Sequence, residues 1–290
     1  MPADYGPARV RVPLGMAERA REFAAGRLSP AVPRDAATVI LLRQAPVVEV
    51  FMLVRTTVLE FAPGACVFPG GAVDERDADP AIGETAWAGP APAEFGSQLG
   101  VSADHARALV CAAVRETFEE SGVLLAGPSP GALVQPSEAM AADRRALLDG
   151  SLSLAELLAR RGLVLRADLL TPWARWITPE VSARRFDTWF FAAALPAGQT
   201  AGLEGPETTQ NPGESDSGTW LRPVKALAAA RAGQMTLLPP TAVTLAELGA
   251  YQDLDEILAA RRVIAPLLPK VVLQDERAWL ALPQTVEYPL

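Results

Sequence analysis

Residues 114–125, V-R-E-T-F-E-E-S-G-V-L-L, set the strongest condition on how this chain folds. They close a stretch that starts after Ser102 or Asp104, both good helix caps, and runs over 103–121 to Gly122, a residue type that ends helices. At about 100° per residue, with Glu116 at 0°, Glu119 falls at about 300° and Glu120 at about 40°. Three carboxylates therefore share about a quarter of the circumference. Val110, Val114, Phe118 and Ser121 fall at roughly 120–200°, a face for burial. One side of this helix must be sealed against a core while the other carries a row of like charges.

Carboxylates crowded in this way repel one another and favour raised pKa values. A hard divalent cation removes that penalty, and carboxylate oxygens with retained waters are what Mg²⁺ prefers. Arg115, at about 260° and one turn before Glu119, is placed to hold that carboxylate in a bidentate pair. A solvated acidic face with an ordinary surface arginine would carry the same pattern, so the rest of the chain has to decide.

Half of the 290 residues are hydrophobic and 21% are charged, which provides for a sizeable core and excludes disorder as the main state. The net charge of −8 argues against a basic footprint, so no nucleic-acid partner is expected. No apolar run approaches about 18 residues, so no membrane partner is expected either. Cys66 and Cys111 stand apart with no CxxC spacing, which suits a reducing compartment. The first residues lack the apolar stretch of a signal peptide and hold too many acids for a transit peptide, which makes the expected location cytoplasmic.

Residues 1–35 hold Pro7, Pro13, Pro30 and Pro33 around a short helical stretch at 15–26 and read as an N-terminal arm. Residues 37–42 and 47–55 read as an antiparallel hairpin, and 65–69 as a strand ending at Gly70-Gly71. The acidic, Pro- and Gly-rich residues 74–102 read as a loop or insertion. Further helices are predicted at 137–149, 153–161, 225–233 and 241–260, and strands at 187–195 and 218–221. The sum is α+β or a mixed-sheet α/β chain. A main domain over 36–270, with insertions at about 78–103 and 130–165, is followed by a tail at 271–290.

G-G-A-V-D-E-R-D at 70–77 and R-E-T-F-E-E-S-G-V at 115–123 together resemble the two halves of the Nudix box. That signature is Gly, five residues, Glu, seven residues, then Arg-Glu-aliphatic-x-Glu-Glu-x-Gly-aliphatic. Gly71, Arg115, Glu116, Glu119, Glu120, Gly122 and Val123 match it. Arg115 lies 44 positions after Gly71 where fourteen are usual, an insertion of about 30 residues. Asp77 stands for the first Glu when counted from Gly71, and Thr117 takes the aliphatic slot. The resemblance implies a Nudix-type α/β/α sandwich with a mixed central sheet and the Glu-bearing helix on one side. It implies hydrolysis of a nucleoside diphosphate linked to another moiety, with Mg²⁺ or Mn²⁺. Glu116 and Glu120 become metal ligands, and Glu119 a further ligand or the base. Arg115 and Glu116 join Glu119 in the catalytic set, and Gly70 and Gly71 meet the substrate.

Arg55-Thr56-x3-Glu60-x3-Gly64-x3-Phe68-Pro69-Gly70-Gly71 partly follows the coenzyme A diphosphatase pattern, with Glu60 where that pattern has a cation. The insertion inside the box, with Trp173 to Glu180 and Arg184 to Phe191, is similar to the branch that includes acyl-coenzyme A diphosphatases. A small nucleotide-derived substrate follows: coenzyme A or acyl-coenzyme A, giving 3′,5′-ADP and (acyl-)phosphopantetheine. ADP-ribose or a dinucleotide is the alternative substrate, and a non-catalytic ligand sensor the alternative class, against which the intact Glu set counts. Arg55, Arg184 and Arg185 are substrate-binding candidates, the last two for a phosphate such as the 3′-phosphate, or else solvated cations beside a strand. Trp173, Trp176 and Trp189 either stack on adenine or fill the core. Glu214 is a candidate additional carboxylate. His105 is expected to cap or pack, and both cysteines to be inert. Homodimers are common in the family, although no feature of this sequence demands one.

Overall fold

The computed structural model describes residues 5–12, 14–55, 64–202, 215–274 and 277–290. Strand β1 (Tyr5–Arg11) and helix α1 (Leu14–Ala24) come first. Strands β2 (Arg34–Gln44) and β3 (Val48–Arg55) then form the expected antiparallel hairpin, with Leu42 opposite Val50. Residues 37–42 are apolar almost throughout because both faces of β2 are covered: Ala37, Val39 and Leu41 join one core layer, Ile40 and Leu42 the other. Strand β4 (Ala65–Val67) pairs with β3, and β5 (Gly70–Ala72) pairs with β2 so that Gly71 lies opposite Ala37.

The stretch 74–102 is not a bare loop. It forms a 3-10 turn (Glu75–Ala78), α2 (Pro80–Thr85), a two-residue strand β6 (Trp87–Ala88) and α3 (Pro92–Leu99). The prolines taken as breakers open α2 and α3, where the missing N–H has no helical partner to lose. Ile82, Phe95 and Leu99 anchor these short helices in the core. Helix α4 (Ala103–Ser121) follows as predicted: Ser102 Oγ accepts the His105 N–H at 3.2 Å, and Gly122 closes it at φ 75°. Thr117, in the slot that is aliphatic elsewhere, is fully buried, and its hydroxyl donates to the Ala113 carbonyl at 2.7 Å.

Next come β7 (Ala126–Gly127), the serine-capped helices α5 (Glu138–Leu148) and α6 (Leu154–Arg161), and β8 (Val164–Arg166), which lies between β6 and β7. Strand β9 (Thr171–Ile177) is antiparallel to β10 (Phe186–Ala194), which runs parallel to β2 from Phe186 opposite Arg34 to Ala194 opposite Leu42. Strand β11 (Ser215–Leu221) pairs with β3. Helix α7 (Pro223–Arg231) and β12 (Thr236–Leu237) lead to α8 (Pro239–Leu248) and α9 (Leu254–Ala259). The single helix predicted over 241–260 is thus two, parted at Gly249 and restarted by the Asp253 cap.

The chain ends in β13 (Pro266–Leu267), β14 (Lys270–Gln274) and β15 (Arg277–Pro283), so the expected tail at 271–290 contains paired strands. Strand β15 pairs with both β14 and β1, and Ala17 and Ala20 of α1 are buried. The expected N-terminal arm is therefore part of the packed molecule. Among the described residues the main sheet is nine-stranded and mixed, in the order β12-β4-β3-β2-β10-β9-β13 with β11 on β3 and β5 on β2. Helices α2 to α6 pack on one face, α7 to α9 on the other, which makes an α/β/α sandwich. Among the described residues no helix is long and apolar enough to cross a membrane.

Candidate active site

Strand β5 lies against the acidic face of α4. A Cβ built on Gly71 would sit 2.5 Å from Glu116 Oε1, and one on Gly70 would sit 2.5 Å from the Ala37 carbonyl oxygen, so neither position has room for a side chain. The Gly70 N–H donates to Glu120 Oε2 at 2.8 Å. The two glycines and the two carboxylates four residues apart thus meet as a strip of backbone against a strip of acid.

Arg115 organises that strip from beneath. Nε and Nη2 donate to the two Asp77 carboxylate oxygens at 2.9 Å each, and Nη2 also reaches the Ala72 carbonyl at 3.0 Å. Nη1 donates to Glu116 Oε1 at 2.8 Å and to both Glu119 oxygens at 3.3 Å. The bidentate partner is therefore Asp77 rather than Glu119. Asp77 is 1% exposed and closes the 3-10 turn by accepting the Asp74 N–H. It stands where the box has its first Glu, so the extra residues enter between Asp77 and Arg115. Burial opposes charge on Arg115, but its hydrogen bonds with Asp77 and the nearby charges of Glu116, Asp77 and Glu119 outweigh that and raise its pKa.

Burial pushes the Glu116 carboxyl up to about 7, with Arg115 pulling it back and Glu119 adding to the rise. Burial raises Glu119 as well, again against Arg115. Arg144, on α5, donates from Nε to the Glu119 carbonyl at 2.9 Å at the end of α4; burial lowers its pKa, opposed by Glu120 and Glu119. A cavity of about 270 Å³ opens beside the strip, lined by residues 71–74, Arg34, Arg115 and Glu116. Neither Arg34 nor Arg144 belongs to a periodic or motif pattern, so nothing short of the strand register and the packing of α5 marks them.

Among the described residues no three acidic, His or Cys side chains converge into a closed metal cage. Mg²⁺ does not require one, because it is held by one or two carboxylates and keeps several waters. A row of hard oxygen donors, two of them reluctant to ionise when left unneutralised, fits such a cation.

The other candidates separate clearly. Arg185 is buried, and its guanidinium donates to the Thr178 and Ala31 carbonyls at 3.0 and 2.7 Å, so it braces the backbone instead of facing a ligand. Arg184 is exposed just before β10. Arg55 ends β3 opposite Ser215; its side chain, and Thr56, Glu60 and Glu214 entirely, lie outside the described residues. Trp173, Trp176 and Trp189 are all core, and none stacks in the cavity. His105 packs edge-on against Trp189 with ring centroids 5.3 Å apart. Burial raises the pKa of both Cys66 and Cys111, which keeps them as inert thiols.

The family profile described as NUDT19 Nudix domain matches residues 89–248, more than half of the chain. The chain belongs to the NUDT19 Nudix family. It is a Nudix hydrolase by family and by fold. It is 28% identical over 273 residues to the acyl-coenzyme A diphosphatase NUDT19 of Gallus gallus, covering 77% of this chain and 70% of that protein. Against the protein of the same name from Homo sapiens it is 28% identical over 239 residues, covering 71% of this chain and 62% of the relative. The crystal structure of a NUDIX hydrolase from Alicyclobacillus acidocaldarius superposes with a TM-score of 0.66 at 28% identity, over 81% of this chain and 99% of that one. A Nudix hydrolase acts on small nucleotide-derived substrates.

Proposed function

We propose that this chain hydrolyses the pyrophosphate bond of coenzyme A or an acyl-coenzyme A. Water adds to one phosphorus and the P–O–P bridge breaks, giving 3′,5′-ADP and (acyl-)phosphopantetheine. The observation that carries this reading is the contact of Gly70-Gly71 with Glu120 and Glu116, which brings bare backbone and acidic oxygens to one strip. Bound Mg²⁺ or Mn²⁺ would neutralise charge on the diphosphate and lower the pKa of its bound water. Glu116 and Glu120 would hold the cation, and Glu119 would be a further ligand or take a proton from water. Arg115 fixes Glu116 and Glu119 in place through its anchor on Asp77. Gly70 and Gly71 let Glu120 and Glu116 pack against bare backbone, and with them border the diphosphate.

The names of the relatives support coenzyme A species as the substrate class. In this reading residues 36–270 form the catalytic unit, and the insertions at about 78–103 and 130–165 shape the pocket. The net charge of −8 supports a protein that takes no nucleic acid, and two unpaired buried cysteines support a reducing, cytoplasmic setting. The test is incubation with Mg²⁺ and coenzyme A, acetyl-coenzyme A, ADP-ribose and NADH, with products separated by chromatography. Release of 3′,5′-ADP from the first two is expected. Cleavage of ADP-ribose or NADH alone would move the substrate class, and binding without cleavage of any of them would favour a sensor.

A further inference from the structure

One cation of the cavity has no task in the proposed hydrolysis. Arg34 opens β2, is exposed, and lines the cavity together with Glu116. Among the described residues no hydrogen bond or ion pair reaches its guanidinium. Arg115, the other cation of that lining, is already taken up by Asp77, Glu116, Glu119 and the Ala72 carbonyl. Asp74, also in the lining, is engaged by Arg76 at 3.0 Å.

The stem of Arg34 is held firmly. Its N–H donates to the Arg185 carbonyl at 2.9 Å, and Phe186 lies opposite it in the parallel ladder. The buried Arg185 guanidinium ties Ala31, three residues earlier, to Thr178 across the sheet. A solvated donor fork on a fixed strand end loses little freedom when it meets a planar or tetrahedral anion.

The strand register says which anion. Gly70 lies opposite Thr38, Gly71 opposite Ala37 and Ala72 opposite Ala36, while Glu120 meets Gly70 and Glu116 meets Gly71. Arg34 stands three residues beyond Ala37, about 10 Å along β2 at the usual strand rise. Its backbone therefore lies past the Glu116 end of the carboxylate row, while its side chain borders the same cavity. A cation there is placed to meet a second anionic group of the same ligand. We infer that Arg34 takes a phosphate monoester on the ribose, the 3′-phosphate of coenzyme A, and so selects nucleotides that carry one. The placement of the diphosphate rests on the proposed function.

The test is calorimetric titration with adenosine 3′,5′-bisphosphate and adenosine 5′-monophosphate, which needs no turnover. The wild-type protein should prefer the bisphosphate by about tenfold or more, as one charge-assisted guanidinium–phosphate contact gives. In Arg34→Ala the ratio should fall to within about twofold, and Arg34→Lys should lie between. Absence of the preference in the wild type, its survival in Arg34→Ala, or an equal loss for both ligands would overturn the assignment. Turnover of coenzyme A in parallel separates this from the reading beneath it. An Arg34-dependent preference without coenzyme A cleavage sinks the proposed reaction alone, and cleavage with an Arg34-independent preference sinks only the role of Arg34.

Discussion

Arg115 has hydrogen-bond partners on all three of its guanidinium nitrogens, so no other side chain fits its place. Arg115→Lys keeps the charge but gives up the bidentate pair with buried Asp77, and should cost about 3 kcal/mol, read as a lower midpoint in thermal unfolding. Gly71→Ala should act the other way round: the new methyl displaces the Glu116 carboxylate, so activity falls roughly a hundredfold while the melting temperature changes little. Glu116 also predicts a pH dependence. Its folded pKa of about 7 lies above its ordinary 4.5, so the folded state binds more protons than the unfolded one between those values. The metal-free protein should lose stability as pH rises through that window, and Glu116→Gln should flatten the slope. Added Mg²⁺ should raise the melting temperature more at pH 8 than at pH 5. Equal slopes for the two proteins would contradict this.

Helix α4 was the most legible element because every local signal agreed: the Ser102 cap, the buried stripe from Val110 to Ser121, and Gly122 at its end. Ser102→Ala removes one cap bond and should lower stability by about 1 kcal/mol while kcat stays unchanged, since the cap lies several turns from the carboxylates. The hairpin and β10 were readable for the same reason, as apolar runs of strand length. Reading failed where one residue type serves two purposes. Pro80 and Pro92 looked like chain breakers and start helices instead. Within the site, Gly71, Arg115 and the three glutamates were singled out by the resemblance to the Nudix box. The bidentate partner of Arg115 was not, because Asp77 is 38 positions away and only the 3-10 turn delivers it. Arg185 could not be told from a ligand-binding cation because its partners are backbone carbonyls distant in the chain.

At the scale of the whole molecule, the two ends of the described chain share one small sheet, β1-β15-β14. Removing residues 1–27 should therefore uncover β15 and lower the melting temperature by several degrees, roughly what losing 1–2 kcal/mol does in a chain of this size. A loose arm would leave it unchanged. The sandwich otherwise does one thing for function: its parallel β2–β10 pair and the β2–β5 pairing hold the glycine strip rigidly under α4, so the acidic row faces backbone rather than open solvent. The most direct test of that account is the rate of 3′,5′-ADP release from coenzyme A in Mg²⁺, measured for the wild type and for Glu116→Gln side by side. Release by the wild type and a loss of at least about a hundredfold in the variant are expected. Equal rates in both, or no release by a folded wild-type protein, would contradict it.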